Sequence, residues 1–178
     1  MNVELLKKAI LDCGASAVGS FSGEVPTDRS FRDACAQNYC GKYGKCWTCP
    51  PDIGDIDTLM ATVKKYKRVL TYQLVSPIED SFDFEGMIDA KKQFFALTKK
   101  VQSLLTTSFN GEYLHLGAGG CGVCTKCAKE DNKPCRFPDQ AIASLESYGV
   151  SVSALAKLVG LNYINGVNTV TYFGAIFY

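Results

Sequence analysis

Apolar residues recur at helical spacing in VELLKKAILD (3–12), with Val3, Leu5, Leu6, Ala9 and Ile10 along one side. This predicts an opening helix stopped at Gly14, and residues 15–21 read as a short strand after it. The segment 24–54 breaks the pattern, with few apolar positions and Pro26, Gly41, Gly44, Pro50 and Pro51 along it. Something other than a hydrophobic core must order it. Asp55 stands where a cap would begin a helix over 56–65, IDTLMATVKK. RVLTYQLV (68–75), rich in β-branched and aromatic residues, predicts a buried strand ended at Pro77.

The longest periodic stretch covers 84–108. Met87, Ala90, Phe94, Leu97, Val101 and Leu104 share a stripe, and Lys91, Lys92, Lys99 and Lys100 face away. That is a core-facing helix with a solvated back. EYLHL (112–116) is a second short strand, and strand–helix–strand in this order predicts a right-handed crossover joining a parallel pair. Residues 138–147 and 151–159 predict two short helices broken at Gly149, and VNTVTYFGAIFY (167–178) predicts a closing strand. No repeat or linker interrupts the chain, so one domain over 1–178 is expected. The fold class is α/β or α+β: a small mixed sheet of about four strands with packed helices. Two Cys-rich cluster-binding loops are expected to leave that sheet on one side.

Totals add constraints. The chain has 178 residues, 47% hydrophobic and 21% charged, with a net charge of +1. That balance suits a globular protein and gives no strong field toward nucleic acid or membrane. The opening residues lack a secretory leader pattern, and no apolar run approaches a bilayer's span. A cytoplasmic protein with reduced thiols is expected. There are 9 cysteines and one histidine, His115. Many cysteines in a reducing compartment point to metal before disulfides.

Eight of the cysteines form two groups. The later one is Cys121-x2-Cys124-x2-Cys127-x7-Cys135, inside GGCGVCTKC and beyond. Zinc knuckles pair two cysteines with two more across a longer insert. Three cysteines on a strict three-residue step fit instead an iron–sulfur cluster, whose iron corners each take one thiolate. Gly119, Gly120 and Gly122 allow backbone N–H groups to approach cluster sulfur. The longer gap lets Cys135 fold back onto the same cluster. Lys126, Lys129, Lys133 and Arg136 add positive charge, partly offset by Glu130, Asp131 and Asp139. The earlier group is Cys35-x4-Cys40-x5-Cys46-x2-Cys49-Pro-Pro, also a full ligand set. Its spacing leaves open a zinc site, or a cluster held by three cysteines with an open iron. Cys13 reads as a small buried residue, and His115 as a core residue with a possible supporting role beside the later loop. Trp47 and Tyr43 stand where they could shield the earlier site.

NYCGKYGKCWTCPP (38–51), GGCGVCTKCAKEDNKPCRFP (119–138) and SLESYGVSV (144–152) together resemble the predicted metal-binding proteins of domain-of-unknown-function family 2284. The resemblance runs from about Phe31 to the closing strand. It implies metal binding with an iron–sulfur role, and no particular reaction. Members of that family often carry another residue where Cys46 stands. This implies Cys35, Cys40 and Cys49 as the core of the first site, with an iron open to other ligands.

The expectation is therefore an iron–sulfur protein with two 4Fe-4S clusters that moves single electrons to a redox partner protein or enzyme. Cys35, Cys40, Cys46 and Cys49 would hold one cluster, and Cys121, Cys124, Cys127 and Cys135 the other. The rivals are an enzyme using an open iron as a Lewis acid or redox catalyst and a zinc-stapled interaction module. No stripe of basic and aromatic residues suggests nucleic acid.

Overall fold

The computed structural model describes residues 2–178. Helix α1 (Val3–Asp12) starts where the Asn2 side chain accepts a hydrogen bond from the Glu4 N–H at 3.0 Å, and it buries Leu6 and Ile10. Strand β1 (Ala17–Ser22) follows, then a short helix α2 (Ser30–Ala36). Helix α3 (Ile56–Lys64) begins at Asp55, whose carboxylate accepts from the Thr58 N–H at 3.0 Å as the sequence predicts. Strand β2 (Arg68–Pro77) leads into the long α4 (Phe84–Ser108), and α4 into β3 (Leu114–Leu116). Helix α5 (Val152–Leu158) and strand β4 (Thr169–Phe177) close the order. No helix among the described residues is long and apolar enough to cross a membrane.

The sheet has four strands in the order β1-β2-β4-β3. Every neighbouring pair is antiparallel: β2 lies against β1 on one side and β4 on the other, and β4 takes β3 on its far edge. The expected parallel pair of β2 and β3 does not form, and the sheet is not mixed. The two strands do run in the same direction, but β4 enters between them and hydrogen-bonds both. Periodicity gives each strand and the helix that joins them, and carries no information about which strand fills the gap.

Both faces of the sheet are covered. On one face Leu70, Tyr72 and Ile176 meet α1 and the apolar stripe of α4, chiefly Phe94, Leu97 and Val101. On the other, Val69, Phe173, Ala175 and Phe177 meet Val63 of α3 and Leu155 of α5. This explains the continuous apolar run of β2, as a strand buried on both sides needs no alternation.

Two other expectations change. Residues 138–147 do not form a helix. They hold two 3₁₀ turns, Pro138–Gln140 and Glu146–Tyr148, around a bridge in which the Gly117 N–H donates to the Ala143 carbonyl at 2.8 Å and the Leu145 N–H to the Gly117 carbonyl at 3.0 Å. Backbone groups spent on that bridge cannot serve a helix. Helix α2 lies in the segment without periodicity, since it buries none of its residues and so shows no apolar stripe.

Candidate metal centre

The first loop starts on α2, which carries Cys35. Asn38, in a left-handed conformation with φ 57°, turns the chain, and its side-chain oxygen accepts from the Tyr43 N–H at 3.0 Å. The loop then closes on itself: the Gly44 N–H reaches the Pro50 carbonyl at 2.9 Å and the Cys49 N–H the Cys46 carbonyl at 3.0 Å. Cys35, Cys40 and Cys49 line one cavity of about 290 Å³. Gly119 and Gly120 of the second loop form part of its wall, as does Glu146.

The second loop leaves β3. A 3₁₀ turn (Ala128–Asp131) starts directly after Cys127 and ends at Asn132 in a left-handed conformation. The Lys133 N–H then bonds the Ala128 carbonyl at 3.0 Å, so the chain doubles back. The Arg136 guanidinium donates to the Lys126 carbonyl and stitches the ends together. As a result Cys121, Cys124, Cys127 and Cys135 all line one cavity, of about 20 Å³. That is room for about one water. The first cavity is preformed; the second loop is drawn in around its thiols.

Cys46 does not join Cys35, Cys40 and Cys49 around the larger cavity. It lines the smaller one, with the four thiols of the second loop. The residue is 2% exposed and lies between the two sites. Its thiol is pulled down to about 5, first by the hydrogen bond from the Cys49 thiol and then by Thr48, against the opposing effect of burial. Cys49 is pushed up by that same bond, by burial and by the neighbouring thiols. One hydrogen bond thus joins the two thiols. Thr48 Oγ1 accepts from the Cys121 N–H at 3.3 Å and stands 3.3 Å from Cys46 Sγ, so its own proton is free for that sulfur. Thr48 is invisible in the cysteine pattern, yet it joins the two loops. Burial pushes up the Cys35 and Cys121 thiols.

The loops lie against each other. The Lys129 ammonium pairs with Asp52 across them, with side chains 18% and 17% exposed. It also lies 4.5 Å from the centre of the Trp47 ring, whose N–H donates to the Lys133 carbonyl at 2.9 Å. A Cβ on Gly120 would stand 3.1 Å from Lys42 Cγ and 3.5 Å from Cys49 Sγ, so the second loop lies close against the first there. Gly122 has a different reason: a Cβ would stand 2.5 Å from the Phe95 ring on α4. Lys126 pairs with Asp131 at 2.6 Å on the surface, and Lys133 and Arg136 are exposed. Among the described residues no three His, Cys, Asp or Glu side chains are grouped to hold a single metal ion. The thiols ring volumes instead.

His115 faces neither loop cavity of cysteines. Its Nδ1 lies 2.7 Å from Gln102 Oε1 and its Nε2 2.8 Å from the Tyr72 hydroxyl. An amide oxygen only accepts, so Nδ1 carries the proton and Tyr72 donates to Nε2. Cys13 caps α1 and packs at the edge of the core beside α4.

The family model described as predicted metal-binding protein (DUF2284) matches residues 22–178. The chain belongs to this family of metal-binding proteins. The DUF2284 match takes in both cysteine loops and the Glu146 turn. No curated protein matches the sequence at a significant level. A solved structure of epoxyqueuosine reductase from Bacillus subtilis, with a catalytic loop swung out of its active site, is similar over 98% of this chain and 44% of that one. The identity is 11% and the TM-score 0.42. The chain thus spans less than half the length of that protein.

Proposed function

We propose that the protein is an iron–sulfur electron carrier holding two 4Fe-4S clusters side by side. The observation that carries this reading is the sorting of seven thiols onto two abutting cavities. Cys35, Cys40 and Cys49 ring one, and Cys121, Cys124, Cys127 and Cys135 ring the other. Thiolates placed around a volume suit a cluster, in which each iron corner takes its own sulfur. A single zinc ion takes four ligands about one point. When bound, such clusters supply reversible one-electron chemistry.

The chain's own residues would set the conditions. Gly119 and Gly120 bring backbone to the first cavity, and burial lowers the local dielectric. The Cys46 sulfur, held by Thr48 and Cys49, sits between the sites and links them. Exposed Lys126, Lys133 and Arg136 offer a basic rim to a redox partner.

Anaerobic purification with iron, sulfide and zinc counting tests the reading. Roughly eight irons and eight sulfides per chain are expected, with a reversible paramagnetic signal on reduction. A colourless protein with stoichiometric zinc overturns it.

A second reading, an enzyme acting at an open iron, is favoured by the count of three thiols at the larger cavity. It requires that added small molecules alter the resonance of the first cluster alone.

A further inference from the structure

The larger cavity has three thiols and one carboxylate. We infer that Glu146 is the fourth protein ligand of the first cluster, its carboxylate oxygen taking the iron corner that Cys46 leaves. The inference rests on the two-cluster reading and adds a residue that no cysteine pattern contains.

Placement is the first support. Glu146 lines the same cavity as Cys35, Cys40 and Cys49. It opens the 3₁₀ turn Glu146–Tyr148, and α2, which carries Cys35, packs directly on that turn. The turn is held firmly. The Ser147 N–H donates to Ser144 Oγ at 3.1 Å and the Ser147 hydroxyl to the Ser144 carbonyl at 2.7 Å. Arg32, one turn before Cys35 on α2, donates to the Gly54 carbonyl at 2.8 Å and to the Ser147 carbonyl at 3.5 Å. The turn that carries Glu146 is therefore held by the element that also positions the first thiolate.

Donor chemistry is the second support. Among the described residues no Lys or Arg pairs with Glu146. Its carboxylate accepts from the Ser144 hydroxyl, which leaves lone pairs for a cation. One carboxylate and three thiols on one cavity make a four-donor set, and carboxylate oxygen is an established donor to iron.

The other oxygens on that wall are less available. Ser144 and Ser147 bond each other. Tyr39 is exposed at the rim, which leaves the Tyr43 phenol as the one competing donor.

A carboxylate donates less electron density than a thiolate, so the first cluster should sit at a higher potential than an all-thiolate one. An oxygen-ligated corner is also the easiest to lose. Ferricyanide withdraws one electron from a four-iron cluster, and the oxidised cluster releases one ferrous ion to leave the three-iron form.

The test compares wild type, Glu146→Gln, Glu146→Cys and Tyr43→Phe by iron count, resonance spectroscopy and redox titration on full-length, anaerobically reconstituted protein. Glu146→Gln should give up one iron per chain to ferricyanide at least tenfold faster than wild type and show the three-iron signal. Glu146→Cys should keep that iron and lower the potential of one cluster only, which a merely structural role would not do. Wild-type behaviour in both Glu146 variants, or iron loss in Tyr43→Phe instead, overturns the inference and leaves the two-cluster reading standing. Zinc without iron in the wild type overturns both.

Discussion

Lys129 and Asp52 form a mostly buried ion pair that fastens the second cysteine loop to the first, with the Trp47 ring beside the ammonium. Removing one leaves the other desolvated, which costs about 3 kcal/mol, at the low end for buried pairs. Asp52→Asn should therefore lower the melting temperature of the metal-free protein and speed cluster loss from the loaded one. A melting curve and a bleaching time course check both. Unchanged bleaching would mean that the pair does not hold the loops together.

Cys46 and Cys49 are neighbours in sequence and serve different cavities. Cys49→Ala should remove the first cluster and about half of the iron. Cys46→Ala should keep close to full iron while changing the potentials, because the sulfur hydrogen-bonded to Cys49 disappears. Iron counting on the two variants distinguishes the roles; half-loading in Cys46→Ala would restore it to the ligand set.

The pH dependence follows from His115. Burial pushes its imidazole down to about 3, against an ordinary value of 6.5. The unfolded chain takes up the proton first, so native stability falls as pH drops from about 6.5 toward about 3 and is unaffected above that window. Each unit of separation is worth about 1.4 kcal/mol, so the effect amounts to a few kcal/mol. His115→Gln should flatten the slope of melting temperature against pH between about 5 and 6.5, above the carboxylate range. A parallel slope in the variant would assign the dependence elsewhere.

Gly122 lies too close to Phe95 for any side chain. Gly122→Ala should cost about 1–3 kcal/mol by overpacking. Adding Phe95→Leu should recover part of it, measured as non-additivity in urea titrations. Full additivity would show that the ring does not set the loop's position.

The sequence pattern made α1, α3, α4, β2 and β4 legible, since each carries an apolar stripe or run that the core uses. Helix α2 was illegible because all its residues stay out of the core, and the strand order was illegible because pairing is a long-range choice. At the site, spacing separated the two loops and sent Cys135 back to its own. It could not show Cys46 lining the second cavity, because residues 46 to 49 form one tight turn that brings both thiols between the sites. Thr48 and Glu146 escaped for another reason. Their roles come from what stands across from them, Cys121 in one case and Cys35 in the other.

Strand β4 is made after the other three and sits between two of them. The edge strand β3, from which the second cysteine loop springs, has β4 as its one neighbour in the sheet. During synthesis the loop with Cys121 to Cys135 therefore has no fixed base until the last strand is inserted. The first loop hangs on α2 and needs no sheet partner of its own. The wall of the first cavity also includes Gly119, Gly120 and Glu146 from beyond that edge strand, so both sites would be complete only on a finished sheet.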